Sequence, residues 1–98
     1  NFPDGNLDKL ADDKILVSDY TKQEKSNKYA YFPFVDYTKN NLKQNLARIL
    51  NLYPNAEIII PSAKKDTHPD HAVTGELVLN LANKTGHTKI FEYVIHEN

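Results

Sequence analysis

The unbroken apolar run of Ile58, Ile59 and Ile60 constrains the fold of this chain more than any other stretch. β-Branched residues favour extended backbone, and an apolar run that does not alternate with polar residues is typical of a strand covered on both faces. Pro61 follows and indicates the end of the run, because proline cannot donate to a sheet ladder. Strands of this kind occur mainly in parallel sheets flanked by helices, so the run predicts a buried strand over residues 56–60 in an α/β fold.

A helical pattern precedes this strand over residues 38–53. Its apolar residues recur with the spacing of one helix face, while lysine, glutamine and arginine occupy the other face. Thr38 or Asn40 can cap the amino end, and Pro54 ends the helix. The apolar positions are Leu42, Leu46, Ile49, Leu50 and Tyr53. The pattern predicts an amphipathic helix that packs on a neighbouring layer.

A second helical pattern, Pro69–Lys84, follows the strand after a polar loop. Asp66 or Thr67 can act as its N-cap, and Pro69 suits the first helical position. Gly86 follows the last turn and can end the helix. This segment is therefore expected to be a helix that begins directly after the loop.

The last apolar segment, residues 89–95, predicts a second strand. The order helix, strand, helix, strand with short connections predicts that the two strands are parallel and joined by a right-handed crossover. We therefore expect one partial domain over residues 1–98. It would consist of a mostly irregular part with a turn, residues 1–37, followed by the helix–strand–helix–strand unit of residues 38–98.

Two segments of the irregular part have some strand character. Residues 15–17 are an Ile-Leu-Val run and suit a short strand. Residues 29–35 are rich in aromatic side chains, but Pro33 favours an edge strand or an extended loop over a central strand.

Composition and charge narrow the classes of partner. The 98 residues carry 12 basic and 13 acidic side chains, a net charge of −1, which provides no global attraction to nucleic acid or to an anionic membrane. There is no cysteine, so disulfides and thiolate metal sites are excluded. No apolar run is long enough to cross a bilayer. We expect no nucleic-acid partner, no transmembrane segment in this chain and a cytoplasmic location.

The polar loop before the second helix contains His68 and His71. A loop between the carboxyl end of a strand and a helix is where α/β enzymes carry their chemistry. Helix capping accounts for the acids and the proline of this loop, but it does not account for the histidines. A helix amino terminus disfavours imidazolium, so both rings are expected to be neutral, the form that binds a divalent metal or accepts a proton.

Two stretches, Phe-Pro-Asp-Gly at residues 2–5 and Asp-Thr-His-Pro-Asp-His at residues 66–71, together resemble the metal-dependent N-acetylglucosamine deacetylases of the PIG-L/LmbE family. The His-Pro-Asp-His run after a buried strand is the more specific of the two. The resemblance covers nearly all of this chain, but only the central and later part of a family member. It implies a Rossmann-like three-layer sandwich with a mainly parallel sheet, of which this chain is an incomplete portion.

The resemblance also implies an activity, the hydrolysis of an N-acetyl amide on a small N-acylated amino sugar such as N-acetylglucosamine, with Zn²⁺ or another divalent metal. His71 would be a metal ligand, and His68 would be the general acid or would polarise the amide carbonyl. Asp70 would orient His68, while Asp66 and Asp4 would support the site or contact the substrate. The chemistry needs these residue types because a carboxylate-supported imidazole can deliver a proton to the departing amine.

This sequence departs from the family at its other motif, of the form Ala-His-Pro-Asp-Asp, which is absent. That motif supplies a His ligand, an Asp ligand and the general base, so the isolated chain is expected to be inactive. We expect it to be the middle of a longer protein, with a missing amino-terminal half or a second copy as its partner. His87 and His96 match no motif and are expected to be a solvated loop residue and a terminal surface residue.

Two other classes remain open. Metallo-β-lactamase-fold hydrolases carry His-x-His-x-Asp-His after an apolar strand, and residues 66–71 differ from that pattern only at the first ligand. Asp66 in place of the first His, the loop between strand and motif, and the Pro-Asp-Gly turn weigh against that class. The second alternative is a non-catalytic binding module that retains the fold. An upstream His-Pro-Asp-Asp motif would distinguish the deacetylase from this module.

Overall fold

The computed structural model describes residues 2–3, 5–18 and 21–95. Within these ranges the chain forms a small mixed α/β domain with two α-helices and a two-stranded parallel sheet. The elements are a short 3₁₀ helix (Leu7–Lys9), helix α1 (Lys39–Leu52), strand β1 (Ile58–Pro61), helix α2 (Pro69–Lys84) and strand β2 (Ile90–Tyr93). Among the described residues, no helix has the length and apolar character needed to cross a membrane.

The two strands pair in parallel, with Ile58 opposite Ile90 and Pro61 opposite Tyr93, which confirms the predicted parallel pairing. Pro61 lies inside β1, although the sequence indicates it as the residue that ends the strand. The backbone amides of Ile58 and Ser62 both donate to the β2 segment at 2.8 Å. Alternate residues therefore face β2, and the missing N–H of Pro61 falls on the opposite edge, where it costs no ladder bond.

The ends of both helices follow from local chemistry. The side chain of Thr38 accepts a hydrogen bond from the backbone N–H of Asn41 at 3.2 Å, so Thr38 rather than Asn40 is the cap. Tyr53 is the C-cap, and α1 therefore begins and ends one residue inside the predicted range. The bounds of α2 are those predicted, Pro69–Lys84.

Helix α2 lies at the centre of the packing, since it contacts α1, β1 and β2. The backbone of α1 contacts that of α2 but not that of either strand in the described part of the chain. Accordingly Leu50 is buried, whereas Ile49 and Tyr53 on the same predicted face are 38% and 60% exposed. The buried apolar residues of these elements are Leu50, Ile60, Leu77, Val78 and Ala82. The apolar face of α1 is thus larger than the surface that covers it.

His87 is buried, and its prediction as a solvated loop residue is wrong. Its Nε2 donates to the carbonyl oxygen of Tyr53 at 2.8 Å, and its Nδ1 lies 2.7 Å from the hydroxyl of Thr85. The ring therefore ties the turn after α2 to the end of α1. Hydrogen bonds to both ring nitrogens offset the free-energy cost of burying this polar side chain. The residues around Gly86 contain no pattern that indicates these hydrogen bonds. His96 lies outside the described residues.

The first part of the chain forms turns and bends. Leu16 donates to the carbonyl of Tyr37 at 3.0 Å, but no ladder develops among the described residues, so the expected strand over residues 15–17 is wrong. Residues 29–35 form a succession of turns rather than an edge strand. An isolated antiparallel bridge, Lys25 with Asp36, closes the base of this loop.

Candidate functional site

The loop between β1 and α2 is a compact turn that brings Asp66 to the start of the helix. The backbone N–H of Asp66 donates to the carbonyl of Ser62 at 3.0 Å, and that of Lys65 donates to the Ser62 hydroxyl at 3.2 Å. Ser62 itself continues the ladder to β2. The loop therefore lies at the carboxyl ends of both parallel strands, the edge at which α/β folds place ligands.

The N-cap of α2 is His68, and the expectation of Asp66 or Thr67 as the cap is wrong. The Nδ1 atom of His68 accepts a hydrogen bond from the backbone N–H of Asp70 at 3.2 Å. Pro69 explains the shift, because a residue that precedes proline is restricted to extended backbone and cannot be helical. Asp66 instead accepts from the backbone N–H of His68 at 2.9 Å and orders the residue before the proline.

The carboxylate of Asp66 is the centre of the site. Its side chain is completely buried and lies 3.1 Å from Nδ1 of His71 through Oδ2. The same oxygen accepts from the backbone N–H of Ile95 at 3.1 Å, and Oδ1 accepts from His68. One carboxylate therefore joins the loop, the first turn of α2 and the segment after β2. A buried carboxylate with several N–H donors is well satisfied as an anion.

These hydrogen bonds assign different tautomers to the two histidines. Because Nδ1 of His71 donates to the Asp66 carboxylate, the neutral ring of His71 carries its lone pair on Nε2. Because Nδ1 of His68 accepts from a backbone amide, the neutral ring of His68 carries its proton on Nε2. The rings are stacked with centroids 4.5 Å apart and planes at 25°. The site thus places the Nε2 lone pair of His71 and the Nε2–H donor of His68 on two adjacent rings.

Asp70 makes different contacts from those the resemblance implies. Its carboxylate accepts from the backbone N–H groups of Gly5 at 2.6 Å and Leu7 at 3.2 Å. Its backbone amide, not its carboxylate, meets the ring of His68. Asp70 therefore ties the Pro-Asp-Gly turn to the start of α2 and brings together the two stretches that carry the resemblance. Asp4, within that turn, lies outside the described residues.

The donor set falls short of a complete metal site. Among the described residues, no group of three or more His, Asp or Glu side chains converges on one point. Protein zinc sites use three or four ligands, and His71 offers one nitrogen of the required kind. The donors that are present fit a metal site only if further ligands come from elsewhere, as the absent upstream motif implies.

An apolar groove begins beside His71. Its volume is about 490 Å³, and it runs between β1 and the uncovered face of α1. On this side Ile59 is 67% exposed. The residues that line the groove include Leu46, Ile49, Ile58, Ile59, Thr74 and Val78. The outer edge of β1 and the histidine site therefore share one open surface.

The sequence analysis identified all four side chains of the site, but it assigned the roles of the two aspartates incorrectly. It assigned support of an imidazole to Asp70, whereas the buried partner of an imidazole is Asp66. In the sequence, the only indication of this role for Asp66 was its position two residues before His68. The donors from Gly5, Leu7 and Ile95 are backbone N–H groups, which every residue except proline has. Their contacts with the two aspartates therefore could not be predicted from the sequence.

No protein-family model, curated protein or solved structure matches this chain. What the fold and the site define is a class: a small mixed α/β domain with a histidine pair, supported by a buried aspartate, at the carboxyl edge of a parallel sheet.

Proposed function

We propose that this chain is the central and later part of a zinc-dependent hydrolase that cleaves an N-acetyl amide on an N-acetylglucosamine-type substrate. Its sheet would belong to a Rossmann-like three-layer sandwich completed by residues outside the chain. The observation that carries the proposal is the pair of tautomers, set by Asp66 at His71 and by the backbone N–H of Asp70 at His68. This reaction needs one nitrogen lone pair that binds a metal and one N–H that polarises the amide carbonyl.

Each histidine has one role in the proposed reaction. A divalent ion held here would supply Lewis acidity and would lower the pKa of the water that it binds towards neutrality. His71 would hold that ion through Nε2, with Asp66 positioning the ring through Nδ1. His68 would donate a hydrogen bond from Nε2 to the amide carbonyl oxygen and to the negative charge that develops on it. The proton that the departing amine takes up would come from the attacking water, by way of the general base that the upstream motif would supply. Asp70 would hold the Pro-Asp-Gly turn against the site.

The proposal is tested by zinc content and acetate release from an N-acetylated amino sugar. The chain joined to the upstream half that the resemblance implies should bind zinc and release acetate. The isolated 98-residue chain, in which the resemblance assigns one zinc ligand, His71, should bind zinc weakly and show no turnover. Tight stoichiometric zinc in the isolated chain would contradict the proposed ligand set.

The role of Asp66 can be tested in the isolated chain by its effect on the His71 ring. In Asp66→Asn, a side-chain amide that donates to Nδ1 should move the proton of neutral His71 to Nε2. The variant should also lose about 1–3 kcal/mol of stability, because one of the buried N–H donors loses its acceptor. Long-range ¹H–¹⁵N correlation spectra of the imidazole nitrogens measure the tautomer directly.

Asp70→Asn is the matched control, since it changes the same kind of side chain four residues away. Its carboxylate contacts the amides of Gly5 and Leu7, so the variant should leave the His71 tautomer unchanged. An unchanged tautomer in Asp66→Asn, or an equal change in both variants, would show that Asp66 does not position His71.

A partner along the outer edge of β1 is part of the proposal. Ile59 exposes an apolar side chain there, and an unpaired strand edge next to an apolar groove favours association. We expect the isolated chain to self-associate with rising concentration, and Ile59→Lys to reduce this because a charged edge opposes strand pairing. Sedimentation that shows a monomer across a wide concentration range would contradict this expectation.

A further inference from the structure

The loop of residues 27–34, here called the aromatic loop, is ordered by one buried serine. The N–H of Ser26 donates to the carbonyl of Val35 at 2.8 Å, and its hydroxyl accepts from the N–H of Val35 at 2.8 Å. The same hydroxyl donates to the carbonyl of Phe32 at 2.5 Å. At the other end the N–H of Tyr29 donates to the side chain of Asn27 at 2.9 Å. The loop is thus closed at its base by its own hydrogen bonds.

This ordered loop holds aromatic rings in solvent. Tyr29, Tyr31 and Phe34 are 84%, 73% and 65% exposed. Phe34 also has φ of 57°, in the left-handed region that residues with a bulky side chain seldom adopt. Strained backbone persists only where the surroundings impose it, and here it presents a phenyl ring to water. Apolar side chains presented in this way indicate a binding surface.

Basic groups accompany the exposed rings. The ammonium of Lys28 lies 5.1 Å from the centre of the Tyr29 ring, and the guanidinium of Arg48 lies 4.8 Å from that of Phe32. Residues 27–35 contain no acidic side chain. Lys25 at the base is paired with Asp36 at 3.9 Å, so the net positive charge of residues 25–36 is that of Lys28.

We propose that the aromatic loop binds the surface of an anionic phospholipid membrane. Tyrosine and phenylalanine favour the boundary between headgroups and acyl chains, and adjacent lysine and arginine are attracted to anionic headgroups. Nucleic acid fits less well, because the tip offers few cations for phosphates. The net charge of −1 opposes long-range attraction, so the local apolar and basic groups provide the affinity. The inference is independent of the proposed hydrolase activity.

The test is cosedimentation of the full 98-residue chain with vesicles made of equal parts phosphatidylcholine and phosphatidylserine. The chain should bind these vesicles, bind pure phosphatidylcholine more weakly, and lose affinity for the anionic vesicles as salt rises. The triple variant Tyr29→Ser, Tyr31→Ser, Phe34→Asn should bind about tenfold more weakly, since its interfacial apolar area is removed. Lys28→Glu should weaken binding to the anionic vesicles alone.

Two controls keep the result interpretable. Asparagine tolerates the left-handed backbone at position 34, so the triple variant should be as stable as the parent in thermal melts. The variant Phe91→Ser removes a side chain that is 54% exposed on β2, and it should keep full vesicle binding. Equal binding by the parent and the triple variant, or no binding by the parent, overturns the proposal. Binding of single-stranded RNA or an oligosaccharide that depends on the same three rings, without vesicle binding, would also overturn it.

Discussion

Gly75→Ala is expected to destabilise the domain by about 3 kcal/mol, enough to unfold a substantial fraction of a chain this small. Gly75 faces the carboxyl end of β1 from the middle of α2. A Cβ at this position would overlap the carbonyl oxygen of Pro61 and lie 3.1 Å from the backbone nitrogen of Ala63. Both neighbours are backbone atoms, so no side chain can rotate away. The helix would have to move off the strand that positions the loop of the site.

Urea unfolding followed by circular dichroism measures this effect. Gly86→Ala is the matched control, because a Cβ there meets nothing within 4 Å, although its φ of 81° disfavours an L side chain. That variant should lose only about 1 kcal/mol, the cost of left-handed backbone alone. If Gly75→Ala is no more costly than Gly86→Ala, the close approach of α2 to β1 is not present in solution.

In the hydrolase that we propose, His68→Ala is expected to lower the rate of acetate release by about two to three orders of magnitude while zinc is retained. His71→Ala is expected to lose zinc, because the variant lacks the nitrogen that Asp66 orients. The two rings stack on each other, so their roles cannot be distinguished by position alone. Loss of rate in one variant and loss of zinc in the other would distinguish them. Metal analysis and steady-state rates on the same preparations measure both effects.

His87→Ala is the control for loss of an imidazole in general. Its ring forms hydrogen bonds with Tyr53 and Thr85, away from the site. The variant should therefore be less stable, but its folded fraction should keep its zinc and its rate of acetate release. Full activity in His68→Ala, or zinc retained at parent levels in His71→Ala, would show that the roles proposed for these residues are wrong.

Local sequence was sufficient to predict the elements that position the site. The helices are found within one residue of their predicted ends, because caps, Pro69 and apolar spacing act over a few neighbouring residues. The parallel pairing of β1 and β2 followed from the order of elements, since a helix between two strands returns the chain in the same direction. The expected strand over residues 15–17 failed because no neighbouring strand pairs with it among the described residues.

By itself, the sequence determined which side chains are available for chemistry and that they follow a buried strand at the start of a helix. Tertiary structure alone decided what each one contacts. Asp66 rather than Asp70 supports an imidazole, and its carboxylate also accepts from the backbone N–H of Ile95, 29 residues further along the chain. Asp70 instead meets Gly5, 65 residues away, through a backbone amide that any residue could offer. Hydrogen bonds to distant main-chain groups leave no pattern in a sequence, and here they assign the roles within the site.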